Sequence, residues 1–285
     1  MQYLLTIFLI TLKCKFSQSF LGSRETIFGL SLYKTNLIGH WDAMDESSII
    51  KDEAGFVDVW SDKAGNFDVK STSTKSTVQQ DRPFYSADAI NGYPAIAFFR
   101  PDAGLISDVE FSRIANQSFT WIMAVKTLSD TKPYQNIFTT TGATWDETNL
   151  ENDYFPIIAT SNGIYSFYQH QKLFETIELP KDNLQIYIVR FDGSKLIVSL
   201  GIPDPKKEES VDWVKEQVGY VNMGRHYGGK GVPLFGFLGE VLAYDIALEW
   251  PVLSNLVHSM NKKWNTGIKW KKQGEYLHIN NYLKK

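Results

Sequence analysis

Short runs in which apolar and polar residues alternate dominate the chain from residue 37 onward. Residues 185–191 (QIYIVRF) and 195–200 (KLIVSL) each place apolar side chains on one face. Asp192 and Gly193 between them are a strong signal for a tight hairpin. Runs of this kind predict twelve strands, at residues 37–41, 56–60, 95–99, 119–126, 136–140, 155–159, 163–168, 173–179, 185–191, 195–200, 219–223 and 236–244. Many closely spaced strands without alternating helices favour an all-β fold, an antiparallel β-sandwich of two sheets.

One helix is predicted at residues 249–264, after the last strand. Its apolar side chains recur at helical spacing, at Leu253, Leu256, Val257, Met260 and Trp264. Pro251 is tolerated in a first helical turn, and Lys262 and Lys263 suit the C-terminal end of a helix. In the preceding strand, Glu240 is surrounded by apolar residues, so we expect it to be paired or to face an edge.

Composition and charge narrow the classes of function. The 285 residues are 43% hydrophobic and 14% aromatic, enough for a large core, and the formal net charge is −3. An acidic chain lacks the basic footprint of nucleic-acid binding, so no nucleic-acid partner is predicted. Cys14 is the single cysteine, which excludes an intramolecular disulfide.

The two ends differ in character from the predicted sandwich. Residues 4–12 (LLTIFLITL) form an apolar run too short to cross a membrane, so no membrane span is predicted. Residues 1–36 are therefore an N-terminal extension, either with a signal peptide at 1–19 or serving as an assembly arm. Residues 266–285 form a tail rich in lysine and aromatic residues. The tail either docks onto neighbouring subunits or covers its own sandwich.

Two early segments carry a family resemblance. Residues 37–45 (LIGHWDAMD) and 57–66 (VDVWSDKAGN) resemble the opening of concanavalin A-like, laminin G-like domains, with Ala64 where the family usually has serine. Residues 91–98 (NGYPAIAF), 118–125 (SFTWIMAV) and 236–248 (GFLGEVLAYDIAL) resemble later strands of that family in the same order. The resemblance covers about residues 37–265, which we expect to form one jelly-roll domain.

The resemblance implies a place and a mode of action. Domains of this family occur in phage virion proteins and in bacterial surface proteins. We therefore expect an extracellular, cell-surface or virion location within a larger assembly. The partners would be carbohydrate or neighbouring protein subunits. The family identifies a fold better than it identifies a ligand.

Catalytic signatures are weak. Sandwich glycoside hydrolases carry Glu-x-Asp-x-x-Glu, and the nearest match, Glu151-Asn152-Asp153, lacks the second glutamate. The five histidines are scattered, at His40, His170, His226, His258 and His278, without the spacing of a metal site. We therefore predict no catalytic residues, no metal ligands and no enzyme activity. A glycoside hydrolase remains the less favoured alternative.

Two segments are candidates for carbohydrate binding. Residues 142–154 combine an aromatic plate with oxygen-bearing side chains, at Trp145, Asp146, Glu147, Asn149 and Asn152. The same oxygens could hold calcium, the one cofactor left open. The alternative is a solvated acidic loop with Trp145 packed onto the sandwich. The second candidate is Arg225, His226 and Tyr227, beside a glycine-rich turn.

These observations predict a non-catalytic binding or structural module that is displayed on a cell or a virion. A purely structural virion component without affinity for sugars is the principal alternative.

Overall fold

The computed structural model describes residues 24–27, 30–34, 36–71, 82–100, 103–110, 118–128, 135–141, 157–161, 164–169, 172–178, 184–211, 220–225 and 232–268. The predicted site residues 145–152, 226 and 227 lie outside these ranges, as do residues 1–23 and 269–285. Within the described part, strands and one α-helix, α1 (Trp250–Lys263), make up the fold. No helix in these ranges is long and apolar enough to span a membrane.

One sheet of eight strands lies against α1, and we call it the helix-side sheet. Its strands are β3 (Leu37–Asp42), β7 (Phe84–Ile90), β8 (Tyr93–Phe98), β10 (Phe119–Thr127), β15 (Gln185–Phe191), β16 (Lys195–Leu200), β17 (Glu209–Ser210) and β20 (Gly236–Tyr244). The order is β17-β16-β15-β10-β20-β8-β7. Along one edge, β20 pairs first with β8 and then with β3, so it joins three neighbours.

The second sheet has ten strands, and we call it the outer sheet. Its strands are β4 (Ile49–Lys51), β5 (Val57–Trp60), β6 (Val69–Ser71), β9 (Leu105–Glu110), β11 (Gln135–Thr141), β12 (Ile157–Ser161), β13 (Ile164–Gln169), β14 (Lys172–Glu178), β18 (Tyr220–Met223) and β19 (Val232–Pro233). The order is β14-β13-β12-β11-β18-β9-β6-β5-β4, with β19 parallel to β11. A separate hairpin, β1 (Arg24–Ile27) and β2 (Leu30–Tyr33), precedes the sandwich.

The antiparallel sandwich and the helix confirm the predicted fold class. All twelve predicted strands are present, and α1 lies within the predicted 249–264 with Glu249 and Trp264 as its caps. The remaining strands are not among those predicted. Four of them, β4, β6, β17 and β19, have only two or three residues, too few for a period of two to be recognised.

Two apolar layers hold the fold together, one on each side of the helix-side sheet. Along β10, Trp121 and Met123 pack between the sheets, whereas Ile122 and Ala124 face α1. Residues Phe119 to Val125 are all buried, which explains why this strand is apolar along its length instead of alternating. The helix therefore completes a third layer.

A tight turn connects the edge of the helix-side sheet to the end of α1. Asn91 and Gly92 join β7 to β8 with φ of 51° and 81°, the left-handed values of a two-residue hairpin turn. The Asn91 side-chain Nδ2 donates to the carbonyl oxygens of Trp264 at 3.2 Å and of Asn265 at 3.0 Å. These bonds satisfy carbonyls that a helix end leaves without partners.

Candidate functional site

A buried polar cluster lies where the end of α1 meets the helix-side sheet. His40 and Asp42 belong to β3, and Glu240 on β20 is directly opposite Asp42 in the register. Lys263 is the last residue of α1, and its side chain contacts Glu240. His40 is 2% exposed, and Asp42 and Glu240 are 0% exposed, so the cluster is closed to solvent. We call these four residues the buried charge cluster.

Both carboxylate oxygens of Glu240 have hydrogen-bond partners within this cluster. Its Oε2 accepts from Lys263 Nζ at 2.8 Å and from Trp264 Nε1 at 2.8 Å. Its Oε1 lies 3.0 Å from His40 Nε2, which donates when that nitrogen carries the proton. Lys263 Nζ also donates to Asp42 Oδ2 at 3.0 Å. The predicted pairing of Glu240 is thereby confirmed, and it ties two strands to the helix.

The charges of the cluster shift its pKa values in opposite directions. Burial opposes ionisation of Glu240, but the Lys263 charge and the hydrogen bond to His40 outweigh it and lower the pKa of Glu240 to about 2. Burial, reinforced by the charge of Glu240, raises the pKa of Asp42. Burial also opposes the charge on Lys263, yet its attraction to Glu240 and Asp42 raises the pKa of the ammonium.

The cluster has the donor types of a metal site but already contains a cation. One ligand atom from each of His40, Asp42 and Glu240 lies within 4.8 Å of the others, and imidazole with carboxylates suits a divalent transition metal. However, the Lys263 ammonium contacts both carboxylates. A metal ion there would have to displace a buried, hydrogen-bonded charge. The residues therefore fit a structural ion-pair network and not a metal centre.

A second buried carboxylate organises the neighbouring loop. Asp62 accepts backbone N–H groups from His40 at 2.6 Å, Ala64 at 2.9 Å, and Asn66 and Phe67 at 3.0 Å each. Burial raises the pKa of Asp62, against the opposing effect of these four donors. The loop motif that carries the family resemblance is thus built around one side chain and leaves Asp62 no free oxygen for a ligand.

Arg225 is the one predicted carbohydrate-binding residue inside the described ranges. It follows β18 and is half-buried beside Gly104, where a Cβ added to the glycine would come within 2.6 Å of the Arg225 Cβ. The other predicted residues, Trp145, Asp146, Glu147, Asn149, Asn152, His226 and Tyr227, lie outside the described residues. Their roles therefore stay predictions.

The strand ends that flank the two predicted segments lie at opposite ends of the β11–β18 pair. Thr141, the last residue of β11, pairs with Tyr220 at the start of β18. Arg225 follows the other end of β18, where Met223 pairs with Phe138 and the ladder runs toward Gln135. From Thr141 to Phe138 the strand advances three residues, so these two ends of the β11–β18 pair are roughly 10 Å apart. The segment after Thr141 and the segment after Arg225 therefore start from opposite ends of this strand pair and are treated as separate candidates.

Comparisons with solved structures identify sandwiches of similar architecture. A Trypanosoma rangeli sialidase in complex with 2,3-difluoro-KDN matches with a TM-score of 0.55 and 12% identity, over 82% of this chain and 34% of the sialidase. Domain 4 of AbnA, a GH43 extracellular arabinanase from Geobacillus stearothermophilus, was solved in complex with arabinotriose. It matches with a TM-score of 0.54 and 13% identity, over 78% of this chain and 98% of the arabinanase domain. The binding domain of botulinum neurotoxin serotype G matches with a TM-score of 0.55 and 9% identity, over 79% of this chain and 51% of the toxin domain.

These likenesses define the class of protein as a two-sheet β-sandwich, and at such low identity they show the fold alone. The chain spans about a third of the sialidase it matches but nearly all of the arabinanase domain. No protein-family model matches the sequence, and no curated protein matches it.

Proposed function

We propose that this chain is a non-catalytic, laminin G-like binding module that recognises carbohydrate at the surface of a cell or a virion. The observation that carries the proposal is the burial of one close pair of acids, Asp42 and Glu240. Asp42 and Glu240 have carboxylate oxygens within 4.8 Å of each other, near the separation of about 5–5.5 Å between the carboxyl groups of retaining glycosidases. Both are fully buried, and both are bonded to the Lys263 ammonium.

A glycosidase needs its two carboxyl groups at a surface that admits the sugar. One group must donate a proton to the leaving oxygen, and this requires a carboxyl group protonated near neutral pH. Burial raises the pKa of Asp42 and the pKa of Glu240 is lowered to about 2, but both carboxylates are closed to solvent and bonded to Lys263, so neither can reach a glycosidic oxygen. The acid pair therefore has a structural role, which favours binding over hydrolysis.

The solved neighbours support carbohydrate as the ligand. The arabinanase domain that the chain matches over 98% of its length was solved in complex with arabinotriose. The sialidase match was solved with a sugar derivative, although this chain spans only 34% of that enzyme. A rigid sandwich that presents loops and sheet surface is a suitable frame for such recognition.

The test has a binding arm and a turnover arm. The full chain is applied to a glycan array at high density, because single contacts with sugars are weak, and the same glycans are assayed for released reducing ends. We expect binding to at least one glycan class without release of reducing ends. Release of reducing ends that increases with protein concentration would make the chain an enzyme. Binding to no glycan would favour a purely structural virion component.

A further inference from the structure

A group of phenylalanines lies at one end of the helix-side sheet, beyond the end of α1. Phe84 on β7 and Phe237 on β20 flank Ala97 of β8 in a single row. Phe99 follows β8 two residues after Ala97, and Phe235 precedes β20. We call Phe84, Phe99, Phe235 and Phe237 the aromatic platform. Ala97, between Phe84 and Phe237, is only 1% exposed, so no open cleft separates the two rings at this position.

Edge-to-face contacts fix the rings of the platform. The Phe99 ring lies 5.5 Å from that of Phe235 at 64° and 5.2 Å from that of Phe237 at 90°. On the other side, Phe84 packs against Phe56 at 5.9 Å and 76°. Such contacts stabilise one orientation of each ring. A ligand would therefore meet rings that are already in place, which lowers the entropic cost of binding.

The platform remains open to solvent although α1 covers the neighbouring surface. Trp264 at the end of α1 packs over Gly239 and lies 6.1 Å from the ring of Tyr93, which closes the sheet up to that point. Beyond it, Phe84 and Phe99 are each 37% exposed. In the described part of the chain, Ile50 at 58% and Val109 at 49% are more exposed, but both belong to the outer sheet and neither is aromatic.

One cation borders the platform, and a second follows it in the chain. Lys126 on β10 is opposite Phe237 in the register, and its Nζ lies 5.9 Å from the centre of the Phe237 ring. Arg100 follows Phe99 directly and is exposed. Neither side chain forms an ion pair with a carboxylate of the described residues, in contrast to Lys70 and Arg82. Lys126 therefore gives the Phe237 side of the platform a cation that can pair with an anionic group, whereas on the Phe84 side the carboxylates of Asp52 and Asp58 are bonded to Arg82.

We propose that the aromatic platform binds an acidic oligosaccharide, with sugar rings stacked on Phe99 and Phe84 and sugar carboxylates paired with Arg100 and Lys126. This inference rests on the proposed function and names the surface and the class of sugar. Aromatic rings pack against the C–H face of a pyranose, and a guanidinium pairs with a carboxylate through two parallel hydrogen bonds. Phe84 is one strand spacing from Ala97, and Phe99 is two residues beyond Ala97, so Phe84 and Phe99 are roughly 8 Å apart, which suits an oligosaccharide better than a single sugar.

The test compares an acidic with a neutral glycan on the full chain. Binding of a hyaluronan oligosaccharide, which carries uronic acids, and of a neutral chitin oligosaccharide is measured by ligand-observed NMR. We expect wild-type protein to bind the acidic glycan more tightly. Phe99→Ala and Arg100→Gln should each weaken that binding by about tenfold, equivalent to about 1.4 kcal/mol. Added salt should weaken it further, since the pairing is electrostatic.

Matched control variants test whether the surface is specific. Lys206→Gln removes an exposed charge near β17, and Ile50→Ala removes an exposed apolar side chain from the outer sheet. Both controls should bind the acidic glycan as the wild type does. Thermal unfolding of each variant checks the fold, and Arg100→Gln keeps the test valid if Phe99→Ala unfolds, because Arg100 is exposed.

The outcomes separate the platform from the proposed function. If wild-type protein binds the acidic glycan and the Phe99 and Arg100 variants bind equally well, the platform is wrong while the function stands. If the binding is lost in Trp145→Ala instead, the site lies in segment 142–154. Equal affinity for neutral and acidic glycans would overturn the role of the cations. A wild-type protein that binds no glycan refutes both proposals. If instead the protein forms concentration-dependent dimers that Phe99→Ala abolishes, the platform binds a second copy of this chain and not a glycan.

Discussion

The buried charge cluster makes Lys263→Met the most informative single substitution. Methionine keeps the length and helix propensity of the side chain but removes the ammonium. Asp42 and Glu240 would then be left as two carboxylates at 0% exposure without their cation. We expect this variant to be strongly destabilised although it differs at one residue near the end of a helix.

The magnitude follows from the electrostatics of Glu240. The fall of its pKa from 4.5 to about 2 corresponds to about 3 kcal/mol of favourable interaction with its surroundings, and Lys263 supplies the largest favourable part. Breaking a buried ion pair by removal of one partner costs about 3–5 kcal/mol. We therefore expect Lys263→Met to lower the free energy of unfolding by about 3–5 kcal/mol near neutral pH.

The dependence of stability on pH should differ between the wild type and the Lys263→Met variant. In the wild type the lowered pKa of Glu240 stabilises the fold fully above 4.5, and this contribution is lost as the pH falls toward about 2. Without Lys263, burial raises the carboxylate pKa values instead, so folding takes up a proton. The stability of the variant should then decrease as the pH rises, and its deficit against the wild type should be smaller near pH 5 than near pH 7.

Urea unfolding followed by circular dichroism at both pH values provides the assay. Lys262→Met is the matched control, because Lys262 is the exposed neighbour of Lys263 on the same helix. Its effect should be within about 0.5 kcal/mol, as for ordinary surface changes. Equal losses in the two variants, or a deficit that does not change with pH, would refute the assignment of the cluster as a stabilising ion-pair network.

Two further substitutions test the packing on each side of the helix-side sheet. Gly239→Ala adds a Cβ that would come within 2.4 Å of the Trp264 ring, so overpacking should cost about 1–3 kcal/mol, and an unchanged melting temperature would contradict the contact. Trp60→Ala removes a fully buried side chain from between the sheets and should cost about 3–5 kcal/mol in urea unfolding, whereas a loss below about 1 kcal/mol would contradict its burial.

The elements predicted from the sequence are those whose own pattern repeats often enough to be recognised. Strands β10, β15 and β20 have seven or nine residues, and α1 carries a complete apolar face. Strand β7 is not predicted because its middle, residues 86–89, carries only small or polar side chains. The pair Asn91-Gly92 stands out in the sequence before a strand, whereas the side-chain bonds of Asn91 to the end of α1 depend on the tertiary structure.

The candidate sites also depend on tertiary structure, so the sequence alone does not predict them. Glu240 is conspicuous as an acid in an apolar strand, but its partners come from β3, 200 residues away, and from α1. No local spacing links His40 to Glu240, so a search for histidine motifs passes over the cluster. The aromatic platform escapes prediction for the same reason, because register and not sequence distance brings Phe84, Phe99 and Phe237 to one surface.

The central place of β20 has a consequence for the order in which the fold can be completed on the ribosome. When residues 1–235 have been synthesised, the helix-side sheet consists of three pieces: β3, which pairs with β20 among the described strands, the β7–β8 hairpin, and the β10–β15–β16–β17 unit. Each piece then presents an open strand edge that could pair with another chain. Strand β20 pairs with β3, β8 and β10, so these three edges stay open to other chains until the last sandwich strand emerges.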